Sequence, residues 1–318
     1  MTLRQWMVFL VALSLFLVSG AALAAPEFGP WSPAGRIEDV PPGADPEFNT
    51  PFLDGCPFTS REGTTFFMAS DRPGGLGGID IWMSTRESVG DPWGAPVNVG
   101  APVNSAANDF CPTLAFDGTR FFFVSTREGG CGLSDIYETR LRSDSTFAAP
   151  QNLGCQVNSA ADEASPFPLP KQGNGIVLYF SSTRAGGFDT TDAGLPSGDS
   201  DLYTSERQGT VYGPPSLVPG ANSAFVDGQP NVRRDGLELF FFSNRPGTIG
   251  MADIYAATRG STSDPWSEPV NLGPNVNSVD AETRPSLSSD GITLYFGSTR
   301  PGEGSTDIYV TSRVKIGS

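Results

Sequence analysis

Apolar and polar positions follow one pattern five times along this 318-residue chain. Each copy begins with a short segment that reaches a proline. It continues through a glycine turn into a solidly apolar run. It closes with Ser-x-Arg, a loop, and Asp-Ile/Leu-aromatic. The apolar runs are Phe66–Met68, Phe121–Val124, Val177–Phe180, Leu239–Phe242 and Leu294–Phe296. They do not alternate with polar residues, so both faces of each strand need cover. In the first copy the pattern predicts strands over Cys56–Ser60, Thr64–Ser70 and Ile79–Thr85, with a fourth beginning at Trp93. Gly118, Gly236 and Gly291 each follow an Asp. Asp-Gly between apolar runs predicts a tight hairpin with positive φ at both central residues.

The prolines that anchor the copies are Pro57, Pro112, Pro166, Pro230 and Pro285, spaced 55, 54, 64 and 55 residues apart. Repeated units of this length stack because one unit cannot cover its own faces. Four antiparallel strands per unit, arranged radially, make an all-β, five-bladed β-propeller. A ring also needs closure. Aromatics open the fourth strand of the first four copies: Trp93, Phe147, Tyr212 and Trp266. The fifth copy has only five residues after Arg313. Its aromatic is Trp31, so residues near 31–40 are expected to complete the last blade. Residues 25–318 then form a single domain.

The first 24 residues read as an export signal: Arg4, an apolar run over Trp6–Val18, and the cleavage pattern Ala22-Leu23-Ala24. The mature chain is expected outside the cytoplasm, secreted or periplasmic, as a monomer with no later membrane-spanning segment. Its four cysteines, Cys56, Cys111, Cys131 and Cys155, suit disulfides in that setting. Cys56 and Cys111 share one repeat position, which favours the pairs Cys56–Cys111 and Cys131–Cys155. The second pair closes a loop worth about 3 kcal/mol in loop entropy.

A net charge of −15 with two lysines argues against nucleic acid and anionic membranes. The absence of histidine removes Ser-His-Asp and Cys-His nucleophiles and every histidine metal site. Carboxylate chemistry and oxygen-ligated cations remain.

The units from Gly228-Gln229-Pro230 to Asp253-Ile254-Tyr255, and from Arg284-Pro285 to Asp307-Ile308-Tyr309, resemble the WD40-like propeller repeat of TolB-like proteins. The resemblance covers about residues 26–318. It implies the propeller architecture and leaves function open. The N-terminal α/β domain of TolB is missing, so its partners are not carried over. An added connector, Pro269–Ser278 in the fourth copy, is similar to repeats of exported bacterial proteins.

Three sets of residues are candidates for chemistry. Asp54, Asp109, Glu163, Asp227 and Glu282 each precede the repeat proline by three positions. Fivefold repetition places them around the central channel, where a carboxylate ring would hold Ca²⁺, attract a cation, or resemble a glycosidase acid pair. The competing reading is hydrogen bonding to the connector or pairing with a repeat arginine. The second set is Arg72, Arg127, Arg184, Arg245 and Arg300 with Asp80, Asp135, Asp201, Asp253 and Asp307. These are expected to close the loop between two strands as charge-assisted pairs. The third is the long loop Ala185–Ser200, with Asp189, Asp192 and Asp199. Trp31 and Phe188 are candidates for sugar stacking. The sialidase Asp-box is not met, since Ser288-Ser289-Asp290-Gly291 has its glycine one place early and no Trp.

The function expected from the sequence is a non-catalytic binding module for protein or glycan. The alternatives are a carboxylate-dependent glycoside hydrolase of five-bladed propeller type, in which Glu163→Gln abolishes activity and spares the fold, and a purely structural envelope protein. No cofactor is expected beyond the Ca²⁺ reading.

Overall fold

The computed structural model describes residues 27–171, 175–188 and 199–316. The expected signal sequence, and Asp189 and Asp192 of the long loop, lie outside the described residues. Five antiparallel sheets form a five-bladed propeller. The first blade runs outward through Asp54–Thr59, Thr65–Ser70, Asp80–Thr85 and Val97–Asn98. The second repeats this with Asp109–Leu114, Arg120–Ser125, Asp135–Arg140 and Gln151–Asn152. The third is enlarged: both Val211–Tyr212 and Ser216–Leu217 pair with Asp201–Gln208. The fourth blade contains Asp227–Val232, Glu238–Ser243, Asp253–Thr258 and Val270–Asn271.

The fifth blade has Glu282–Leu287, Thr293–Ser298 and Asp307–Ser312, and its outer strand is Gly35–Arg36 from the other end of the chain. Gly35 pairs with Val310 and Arg36 with Tyr309. The N-terminal clasp is therefore present.

The unbroken apolar runs explain the radial arrangement. Each seam between blades holds its own buried cluster. At the closing seam, Ile37, Phe48, Tyr295 and Ile308 pack against Phe66, Met68, Trp82 and Trp93. Between the third and fourth blades, Tyr179 and Leu202 meet Leu239, Phe241 and Trp266. Burial of this kind is the main favourable term in folding.

The connectors have a second task that the sequence reading missed. Asn104 accepts a hydrogen bond from Ile81 N–H and donates one to Ile81 C=O, both 2.9 Å. Asn158, Asn222 and Asn277 clamp Ile136, Leu202 and Ile254 in the same way. Asn49 does so for Ile308, across the chain ends. Five third strands thus have one N–H and one C=O on their outward edge satisfied by one amide each.

The turn chemistry differs from expectation. Gly63, Gly118, Gly236 and Gly291 have φ between 71° and 78°, and the residue before each keeps negative φ. The reason is loop length. Gly63 N–H bonds Ser60 C=O while Ser60 N–H bonds Thr65 C=O, so four residues make the turn and one left-handed position suffices.

Candidate functional site

Each ring carboxylate stands at the first residue of an innermost strand and has no solvent exposure. Asp54 accepts from Thr50 N–H and Thr50 O–H, both at 2.6 Å, and from Arg72 Nη2 at 2.5 Å. Asp109 and Asp227 hold Ser105 and Ser223 in the same way, and pair with Arg127 at 2.7 Å and Arg245 at 2.5 Å. Glu163 takes Ser159 N–H and O–H, Ser182 O–H, and Arg184 at 3.0 Å. Glu282 takes Ser278 N–H and O–H and pairs with Arg300 at 3.2 Å. The arginines continue to connector carbonyls, as Arg72 does to Phe48 C=O at 2.7 Å. A fully bonded, buried, neutralised carboxylate neither binds a cation nor transfers a proton to a substrate.

The arginines therefore do not pair with the second set of aspartates as expected. Antiparallel register puts both Asp54 and Asp80 opposite Ser70, and Arg72 turns toward Asp54. Asp80 instead accepts from the loop N–H groups of Leu76 and Gly77, and from Asn98 Nδ2 at 2.9 Å. Asp135, Asp253 and Asp307 cap the corresponding loops through Cys131 and Gly132, Ile249 and Gly250, and Glu303 and Gly304. Asp201 accepts from Phe188 N–H at 2.7 Å. Burial, reinforced by Asp54, pushes the Asp307 carboxyl up against those loop hydrogen bonds.

The central channel is lined by other residues. Every innermost strand bulges at the residue pair ending in the repeat proline. The bulge residues Cys56, Cys111, Ser165, Gln229 and Arg284 have φ between 49° and 59° and ring a cavity of about 30 Å³. No carboxylate is among its lining residues, which corrects the placement of the five carboxylates on the channel wall. Among the described residues, no group of three or more Cys, Asp or Glu is arranged to hold a metal ion.

Cys56–Cys111 closes two neighbouring blades across this ring, and Cys131–Cys155 ties an inter-strand loop to the following connector. Trp31 is buried in the closing blade and is removed as a stacking surface, whereas Phe188 is 53% exposed.

A cleft of about 630 Å³ opens between the second and third blades. Glu138, Arg140, Gln151, Asn152, Arg207 and Tyr212 provide its polar lining. The other blades carry Met83, Thr204, Ala256 and Val310 where the second has Glu138. Glu138 meets Arg207 across the seam at 3.3 Å, and both side chains keep partial exposure. Arg207 lies 5.5 Å from the centre of the Tyr212 ring. Burial, and then the charge of Glu138, push the Tyr212 hydroxyl well above its ordinary value. The only sequence signal for this site was one acid interrupting an otherwise uncharged repeat position.

The chain matches no family model and none of the curated proteins compared. Similar solved structures do exist. An α-L-arabinofuranosidase from Lactobacillus brevis has 13% identity and a TM-score of 0.57, with 88% of this chain and 94% of that one covered. An endo-arabinase from Bacteroides thetaiotaomicron has 15% identity and a TM-score of 0.56, over 85% and 98% of the two chains. An α-L-arabinofuranosidase from Podospora anserina in complex with cellotriose has 12% identity and a TM-score of 0.54, over 91% and 98%. A putative TolB from Agrobacterium tumefaciens, at a TM-score of 0.46 and 16% identity over 86% and 78%, is too distant to carry an argument. At these identities the likeness shows the five-bladed fold. It also overturns the expectation of a non-catalytic module. That expectation rested on the equivalence of the five repeat carboxylates, and the likeness to arabinofuranosidases and an endo-arabinase favours the glycoside hydrolase alternative instead.

Proposed function

We propose that this chain acts on a glycan as a glycoside hydrolase of the five-bladed propeller type, outside the cytoplasm. The cleft between the second and third blades carries this reading. Its volume of about 630 Å³ lies in the range of small-ligand sites. Its lining offers amide and guanidinium donors suited to sugar hydroxyls. Glu138 is the ionisable acid of the lining, largely withdrawn from water beside Arg207. Glycoside hydrolysis uses carboxyl groups in unlike environments, one donating a proton and one taking it up or attacking carbon. Glu138 supplies one of them. Two disulfides among the described residues agree with an oxidising compartment.

A screen with aryl arabinofuranosides, aryl xylosides and the parent polysaccharides tests the proposal. Hydrolysis above blank that disappears in Glu138→Gln is the expected result. No turnover on any of these substrates, or turnover unchanged in Glu138→Gln, would refute it.

A further inference from the structure

One arginine that lines the channel cavity has no carboxylate partner among the described residues. Five buried carboxylates pair with five repeat arginines just outside the channel. Arg284 is a sixth, at the bulge position that is Cys56, Cys111, Ser165 and Gln229 in the other blades. Among the described residues it forms no ion pair, and its Nε is buried without a hydrogen-bond acceptor. Its guanidinium reaches across the innermost strand of the first blade. A Cβ added to Gly55 would lie 3.2 Å from Arg284 Nη1, so the side chain occupies the space that this glycine leaves open. Burial lowers its proton affinity, yet a guanidinium does not become neutral under ordinary conditions. Arg284 keeps partial exposure along the channel, so its unpaired guanidinium is within reach of an anion in the cavity.

The surrounding groups are donors. Gln229 accepts from Arg284 N–H through Oε1 at 2.7 Å, which leaves its amide nitrogen as a donor beside the channel. The Ser165 hydroxyl bonds only the weak acceptor Cys111 Sγ, at 3.4 Å. The cavity these residues line is about 30 Å³. That is room for roughly two particles of water size, and too little for a sugar ring or a phosphate ester.

We infer that the channel binds a small monovalent inorganic anion, of halide size, on the Arg284 guanidinium with Gln229 and Ser165 as flanking donors. The site is separate from the cleft and independent of the reading given to that cleft. The anion offsets the Arg284 charge and ties the fifth blade to the first, third and fourth.

Sodium bromide, sodium chloride and sodium gluconate at equal ionic strength are the probes, gluconate being too large for the cavity. Tm should rise saturably with bromide or chloride and not with gluconate. Bromide-grown crystals should show an anomalous peak against Arg284. Arg284→Met should lose both effects. Equal melting curves in the three salts, a channel without an anomalous peak, or an undiminished halide effect in Arg284→Met would each overturn the inference. If Arg284→Met does not fold, the anomalous map of the unaltered chain decides.

Discussion

The Arg313 guanidinium lies 4.5 Å from the centre of the Trp31 ring, joining the end of the strand Asp307–Ser312 to the N-terminal segment that completes the fifth blade. The same side chain donates two 2.7 Å hydrogen bonds to Glu238 of the fourth blade. Equivalent arginine–aromatic contacts occur as Arg86 on Trp93 at 3.9 Å and Arg259 on Trp266 at 4.1 Å. The second blade replaces the pair with Leu141 and Phe147. Ring closure therefore reuses the brace that finishes an ordinary blade, with its two members drawn from opposite ends of the chain.

If that brace closes the ring, Trp31→Ala should cost about 3–5 kcal/mol, the usual range for truncating a buried large aromatic. Removing residues 25–48 should cost more, since it also deletes Phe48 from the closing cluster. Thermal unfolding of the two variants measures this. A Tm unchanged by the deletion would show that the ring does not depend on its clasp.

The buried ion pairs make a second prediction. Arg245 and Asp227 lie 2.5 Å apart, and Asp227 is wholly buried. Arg245→Gln leaves that carboxylate without its cation and should destabilise the fold by about 3–5 kcal/mol. Urea unfolding reads the loss. A change within experimental error would mean that the pair can be dispensed with.

The tyrosines set the alkaline limit. Burial raises the hydroxyls of Tyr179, Tyr203, Tyr212, Tyr295 and Tyr309, with Tyr203 pushed up to about 12. The folded chain thus keeps protons that the unfolded chain releases near pH 10. Stability is independent of these groups below that pH and falls as pH rises from about 10 toward 12. Tyrosinate absorbance in the native chain should lag behind that of the urea-unfolded chain over this interval. Coincident titration curves would contradict the burial argument.

Much of this architecture is legible in the residues. Non-alternating apolar runs announce strands covered on both faces. The spacing of Pro57, Pro112, Pro166, Pro230 and Pro285 sets the blade count, and the displaced Trp31 marks the clasp. Cys56 and Cys111 share a repeat position, which brings them together across neighbouring blades. Side-chain partners are less legible. Ser70 faces both Asp54 and Asp80, and nothing local decides which of them Arg72 takes. Loop N–H groups satisfy Asp80, and that follows only once the loop is folded. The cleft is hidden for another reason. Glu138 and Arg207 are 69 residues apart and meet across a seam that exists only in the closed ring.

On the proposed function, fivefold residues maintain the ring and the chemistry belongs where the repeat breaks. Glu163→Gln and Glu138→Gln, measured side by side for Tm and for glycan hydrolysis, test this claim most directly. Glu163→Gln should lower Tm, because a buried carboxylate bonded to Ser159, Ser182 and Arg184 loses its charge. Glu138→Gln should leave Tm nearly unchanged and remove hydrolysis. A Glu163→Gln chain of undiminished Tm that has lost hydrolysis, beside a fully active Glu138→Gln chain, would contradict the account.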